Sequence, residues 1–110
     1  MITYDDFLHV DIRVGKIVAV EDFARARKPT YKVQVDFGPE IGLKWSSVQA
    51  KSDYTQAEML GRQVLGVVNF PPKNIAGFLS EVLILGVPAE DGGLSLLIPS
   101  RPAQLGSRMY

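Results

Sequence analysis

The sequence predicts an all-β domain, a small barrel with little helix, and three observations carry that prediction. Residues 31–37 alternate without a break: Tyr31, Val33, Val35 and Phe37 lie on one phase and Lys32, Gln34 and Asp36 on the other. That is the period of a half-buried strand. The runs at 63–69 (QVLGVVN) and 82–87 (VLILGV) are apolar on both phases, as strands covered on two sides are. Helix signals, by contrast, are scarce.

Taken in order, the chain opens with Thr3 to Asp6, a short turn, and enters a long first strand from Val10 to Glu21. Its apolar phase is clear at Val10, Ile12 and Val14 and blurs after Gly15. A glycine where alternation falters predicts a bulge that bends the strand around a barrel corner. The second strand, 31–37, stops at Gly38-Pro39. A third, 41–47, continues the pattern with Ile41, Leu43 and Trp45 set against Gly42, Lys44 and Ser46. Thr55-Gln56-Ala57-Glu58 fits a capping box, and Gly61 closes that helix within two turns. The runs at 63–69 and 82–87 supply the last two barrel strands, and a further run, Leu94 to Ile98, follows the Asp91-Gly92-Gly93 turn. A five-stranded barrel with a short helix between strands three and four is the OB-fold plan. An SH3-like barrel is the rival, and the helix position and the long first strand favour OB. The chain reads as one domain, 1–110, with a core of about 10–98; residues 99–110 read as an arm packed on the domain or on a partner subunit.

Composition narrows the function. With 46% hydrophobic residues in 110, there is apolar material for a single core. Twelve basic and twelve acidic residues cancel, which argues against coating nucleic acid by bulk charge, though not against a local patch. No cysteine is present, so disulfides and thiolate metal sites are excluded. The start, MITYDDFLHV, has no basic leader and no long apolar run, and no stretch reaches the ~20 residues of a membrane helix. A cytoplasmic protein without membrane insertion is the expectation.

Catalytic constellations are missing. His9 stands alone beside the first strand, and the acidic pairs Asp5-Asp6 and Glu90-Asp91 read as solvated turn residues. Neither a phosphate-binding loop nor paired histidine ligands occur, so no enzyme activity, metal or cofactor is expected. Binding residues are easier to find. Arg25, Arg27, Lys28 and Lys32 fall within eight positions, in the connection between the first two strands, one of the loops that flank an OB ligand face. They read either as a solvated loop or as an electrostatic rim for phosphates, which Arg13 and Lys44 extend from the polar phases of their strands. Trp45 and Phe37 share phases with core residues and are expected to pack inside. Between Asn69 and Gly86 the connector NFPPKNIAGFLSEVLILG carries the Pro71–Pro72 pair, Lys73, and two aromatics, Phe70 and Phe78. A stiff, half-apolar connector of this kind looks like the wall of a binding site.

The segments DIRVGKI (11–17), YKVQVDFG (31–38), KWSSVQ (44–49), LGRQVLGVVNFPPKNI (60–75) and FLSEVLILG (78–86) together resemble the CsaA-type proteins of the tRNA-binding-domain family. Domains of that family are also appended to methionyl-tRNA synthetases and to synthetase-associated cofactors. The resemblance runs over nearly the whole chain. It implies an OB fold whose terminal extensions form a homodimer, tRNA binding without catalysis and, for the CsaA branch, a chaperone role in protein export through peptide binding. In the simplest picture the 99–110 arm crosses the partner.

By the same resemblance Asn69 and Ser80 hold the family's site-lining asparagine and serine, Ser47 matches its strand-three serine, and Glu81 its following acid. Where tRNA-binding relatives read Ser-Glu-Gly-Met, this chain has Ser80-Glu81-Val82-Leu83, and Val48 stands where they have glycine after the serine. Phe70-Pro71 replaces a leucine-and-lysine type of step. These departures make the site narrower and more apolar, and tilt the expectation from tRNA toward peptide. The expected site is therefore a cleft of Ser47, Asn69, Phe70, Lys73, Phe78, Ser80, Glu81 and Leu83, rimmed by Arg13, Arg25, Arg27, Lys28, Lys32 and Lys44.

Overall fold

A computed structural model describes residues 1–110 as a nearly closed antiparallel barrel of five strands. These are β1 (Ile12–Asp22), β2 (Tyr31–Asp36), β3 (Leu43–Val48), β4 (Gln63–Val67) and β7 (Leu83–Ile84), hydrogen-bonded in the order β3-β2-β1-β4-β7. Two hairpins are added to it, β5 (Lys73–Ile75) with β6 (Phe78–Ser80), and β8 (Gly86–Pro88) with β9 (Leu94–Leu96). Helices are short: α1 (Tyr4–Leu8), α2 (Gly38–Ile41) and α3 (Gln56–Met59). α3 lies between β3 and β4, as the OB plan requires, and Thr55 and Glu58 form the expected capping box. Thr3 and Asp6 form a second one at α1. No helix is long and apolar enough to cross a membrane.

The core follows the alternation of β2. Tyr31, Val33, Val35 and Phe37 are all buried and meet Ile17, Met59, Val64, Val82, Ile84 and Leu96 from the other strands and α3. The bend in β1 differs from the expectation in place. Its register against β2 slips between Ile17 and Ala19, so the bulge is at Val18. Gly15 serves close packing instead: a Cβ there would lie 2.4 Å from Val35 Cγ1 and 2.8 Å from the Phe37 ring.

The phase of β3 is the reverse of the one read from the sequence. Ser46 and Val48 are buried, Leu43 is exposed and Trp45 is half-buried. The cause is α2, whose C-cap Gly42 has φ +82°. That turn breaks the count between Phe37 and Leu43, and a one-residue shift exchanges the two faces of a strand. Trp45 therefore pairs with Gln34 on the outer face. The run at 82–87 also departs from a doubly covered strand. It divides into β7 and β8, and Leu83 and Val87 are exposed.

The 99–110 arm lies on its own barrel. Because β2 pairs only with the C-terminal half of β1, residues 12–14 keep one free edge. The arm covers it through Val14 N to Ser107 O (3.0 Å), Gly106 N to Val14 O (2.8 Å) and Met109 N to Ile12 O (2.8 Å). Of the two places expected for the arm, the domain and a partner subunit, it occupies the first in the single chain.

Candidate functional site

The site arises where the barrel stops closing. Glu81 N donates to Trp45 O (2.8 Å), the buried Ser46 Oγ donates to Val82 O (2.8 Å), and Ser47 N donates to Ser80 Oγ (3.1 Å). Past this seam no backbone hydrogen bond joins β3 to β7, and a cleft of about 890 Å³ opens between residues 47–49 and 82–88. Buried Val48, Val82 and Ile84 form its floor. Phe70, 53% exposed, and Leu83, 48% exposed, stand on its walls with Pro71. Lys73, Glu81 and Asp53 supply charges of both signs along its edge.

Ser47, Phe70, Lys73, Ser80, Glu81 and Leu83 are thus brought together on one surface. Asn69 is not among them. Its side chain clasps the N-terminal segment, accepting from Asp11 N at 3.0 Å and donating to His9 O at 2.8 Å. Phe78 also turns away from the cleft. It packs edge-on against Phe23 (5.3 Å between centroids) and Trp45 (6.2 Å). The connector that separates it from Phe70 is itself a hairpin. Ala76 (φ +50°) and Gly77 (φ +84°) make the tight turn, steadied by Gly77 N donating to Asn74 Oδ1 at 2.9 Å.

Of the six expected rim residues, three share a pocket. Arg25, Arg27 and Lys28 line a neighbouring pocket of about 510 Å³ that shares Ser47, Gln49 and Ile75 with the cleft. Lys32 sits over the rings of Phe23 (4.8 Å) and Phe78 (5.1 Å), a cation–π arrangement. Lys44 faces Glu81 at 3.7 Å. Arg13 is committed to the arm: its guanidinium meets Asp11 at 2.6 Å and donates to Gly106 O at 2.9 Å. The Asp11 hydrogen bond raises the Arg13 pKa above its ordinary value.

Sequence reasoning passed over Ile75, Val87, Pro88 and Asp53, which are among the residues that line the two pockets. Asp53 anchors β9 by accepting from Leu94 N at 3.0 Å. The one available signal was the Gly92-Gly93 turn, since a Cβ at Gly93 would fall 2.3 Å from Asp53 Oδ1. The shifted carboxylates lie away from the cleft. Asp22 is lowered first by the Gln56 amide and then by Lys51, and Glu58 by the Thr55 backbone N–H. No group of three or more His, Cys, Asp or Glu side chains gathers in a way that could hold a metal ion. The cleft offers apolar surface with hydroxyls and single charges at its margin, which is the chemistry of binding.

Comparison with known proteins gives this geometry a context. The family described as "Putative tRNA binding domain" matches residues 12–108. A CsaA chaperone protein from Picrophilus torridus superposes with a TM-score of 0.94 at 47% identity, covering 100% of both chains. The chaperone CsaA from Bacillus anthracis gives a TM-score of 0.92 at 42% identity, covering 100% of this chain and 99% of that one. The methionine–tRNA ligase of Thermococcus onnurineus is 36% identical over 98% of this chain, which spans only 14% of that enzyme.

Proposed function

The chain belongs to the putative tRNA-binding domain family, and from that premise we propose that it is a non-catalytic, CsaA-like chaperone. Its cleft takes extended apolar segments of unfolded polypeptide, including preproteins bound for export. The observation that carries this reading is the open cleft itself, with an apolar floor and exposed Phe70 and Leu83 on walls built by Pro71. Covering such side chains is worth about 1.5–3 kcal/mol each. Ser47 and Ser80 offer hydroxyls to a peptide backbone, and Lys73 and Glu81 accommodate either charge. The protein works in the cytoplasm and as a homodimer. The dimer is supported by α1, none of whose residues is buried, and by exposed Ile2, Tyr4, Leu8 and Val10 around it. It should sediment at twice the chain mass; a monomer at micromolar concentration would overturn the dimer, since stable pairs bury well over about 1,000 Å².

A second reading, tRNA binding, is favoured by one specific observation. Arg25, Arg27 and Lys28 line a pocket that shares a wall with the cleft, so phosphates and an apolar ligand have adjoining places. Three such contacts give a log–log salt slope of about −2 to −3.

Both readings are tested by titrating a labelled unfolded peptide and tRNA, alone and in competition, at two salt concentrations. Phe70→Ser should weaken the peptide about tenfold, as roughly 1.4 kcal/mol implies, with no loss of stability because Phe70 is exposed. Neutralising Arg25, Arg27 and Lys28 should weaken tRNA alone. Peptide affinity that is unmoved by both Phe70→Ser and Leu83→Ser would sink the chaperone reading of this cleft.

A further inference from the structure

Away from the cleft, the arm and the start of β4 enclose a third pocket, of about 420 Å³, that shares no residue with the other two. Lys16, Arg62 and Arg101 all line it, and no carboxylate does. In a chain whose charges cancel, this is a local excess of three. Arg13, Lys44, Lys51 and Arg108 each have a carboxylate within 4 Å, whereas none of these three does. Acids stand nearby without pairing: Arg62 acts on the Glu58 carboxylate only through space, and neither Asp36 nor Glu58 comes within 4 Å of a pocket cation. Asp36, across from Lys16, accepts from Gly38 N at 2.8 Å, and Glu58 accepts from Thr55 N at 2.9 Å.

The pocket is also held in shape. Gln63 Nε2 donates to Ala103 O at 2.7 Å and its Oε1 accepts from Ala103 N at 2.9 Å. This pair of hydrogen bonds and the flanking Pro99 and Pro102 hold the backbone around Arg101 beside β4. Arg62 is braced by donating to Glu58 O at 3.1 Å and by lying over the Tyr54 ring. The backbone amides of Ser100 and Arg101 and the Ser100 hydroxyl donate to no protein acceptor. Free N–H and O–H donors therefore stand among three cations. Ile98, Pro99 and Pro102 supply the apolar part of the lining, and no aromatic ring is among the lining residues, so the pocket has no aromatic platform on which to stack a base.

We propose that this pocket is a second phosphate-binding site that grips the sugar–phosphate backbone of RNA, without reading sequence. The ligand is a phosphodiester because charge and donors are matched to phosphate oxygens, the arginine forks especially, and the lining holds no aromatic ring for a base. The inference rests on the tRNA-binding reading and makes it bipartite. Along β1, Lys16 and the loop that begins after Asp22 are up to about 20 Å apart at ~3.3 Å per residue. One phosphate cannot satisfy both sites.

The test is the salt dependence of tRNA affinity for the full chain, with Lys16→Gln/Arg101→Gln compared with the neutralised 25–28 loop. Both residues of the first variant are exposed and make no side-chain hydrogen bond, so its thermal midpoint should stay put. Its log–log slope should shrink by about 1.4–1.8, at roughly 0.7–0.9 per contact, and adding the loop changes should shrink it further. Peptide affinity should not move. Arg62→Gln added to the pair should take the slope down by one more contact. A wild-type slope in the pocket variant, with the loop variant impaired, would overturn this inference and leave the tRNA reading standing. Wild-type protein that binds no tRNA would overturn both. Inorganic phosphate is the control for a small-anion site: displacement of tRNA by sub-millimolar phosphate with an unchanged slope would also refute a backbone grip.

Discussion

Replacing Phe37 with alanine should destabilise the fold by about 3–5 kcal/mol, the range for a buried aromatic truncated in a core. The ring is fully buried and plugs the barrel across two glycines. A Cβ at Gly15 would lie 2.8 Å from its Cε1, and one at Gly66 would lie 3.2 Å from its Cζ. Two facing glycines thus share one ring, and with no side chain of their own they have nothing to fill the space when the ring is removed. Against a total of about 5–15 kcal/mol for a domain, the loss leaves a marginal protein. Urea unfolding should show a much lower midpoint with an unchanged m-value. Gly15→Ala should also destabilise, by overpacking against Val35 and the ring. Because the two changes act on one space, Phe37→Leu combined with Gly15→Ala should cost less than their sum. A loss below about 1 kcal/mol for Phe37→Ala would mean that the ring does not organise this core.

Phe37 also marks how far the fold is legible in the sequence. Its strand was readable because alternation and burial coincide from Tyr31 to Phe37. The α3 capping box was readable because its two partners are three residues apart. Beyond Phe37 the count fails, since Gly42 turns the chain at φ +82° and Trp45 emerges on the outer face. The β5–β6 hairpin was missed for a related reason. Its turn places an alanine, not asparagine or aspartate, at positive φ, so the usual hairpin signal is absent. In the site, Ser47, Ser80 and Leu83 came from the family resemblance and Phe70 from the proline-stiffened connector, and the seam between β3 and β7 places the four on one surface. Asn69 could not be placed. Its partners, His9 and Asp11, are about 60 residues away, and no local pattern reports a hydrogen bond of that span. The cations needed their partners too: Arg13 and Lys44 looked free only while Asp11 and Glu81 were unplaced.

Phe78→Ser should loosen one wall of the cleft and leave the barrel folded. Phe70→Ser should leave both the wall and the barrel intact, because Phe70 is exposed, and the contrast tests whether the hairpin is a built part of the site. β5 and β6 have three residues each, and an isolated two-stranded hairpin of that size is marginal in water. It stays in place through Phe78, which fills the space between Phe23 and Trp45 under the Lys32 ammonium. Serine removes the ring and with it the cation–π contact, worth about 0.5–2 kcal/mol by itself. Together with the lost apolar packing, a penalty of roughly 2–4 kcal/mol falls mainly on residues 73–80. A segment with so few other buried contacts opens locally before the whole domain does. The amides of 73–80 should therefore exchange with solvent far faster than those of β1 and β2. Trp45 is the only tryptophan, and its emission should shift toward that of an exposed indole. Lys73 and Ile75 belong to the hairpin and line the cleft, so peptide affinity should fall although Phe78 does not itself touch the cleft. Native exchange and emission, together with lost peptide binding, would return Phe78 to the role of a direct ligand contact. Altered exchange and emission with intact binding would show that the cleft does not need its hairpin wall.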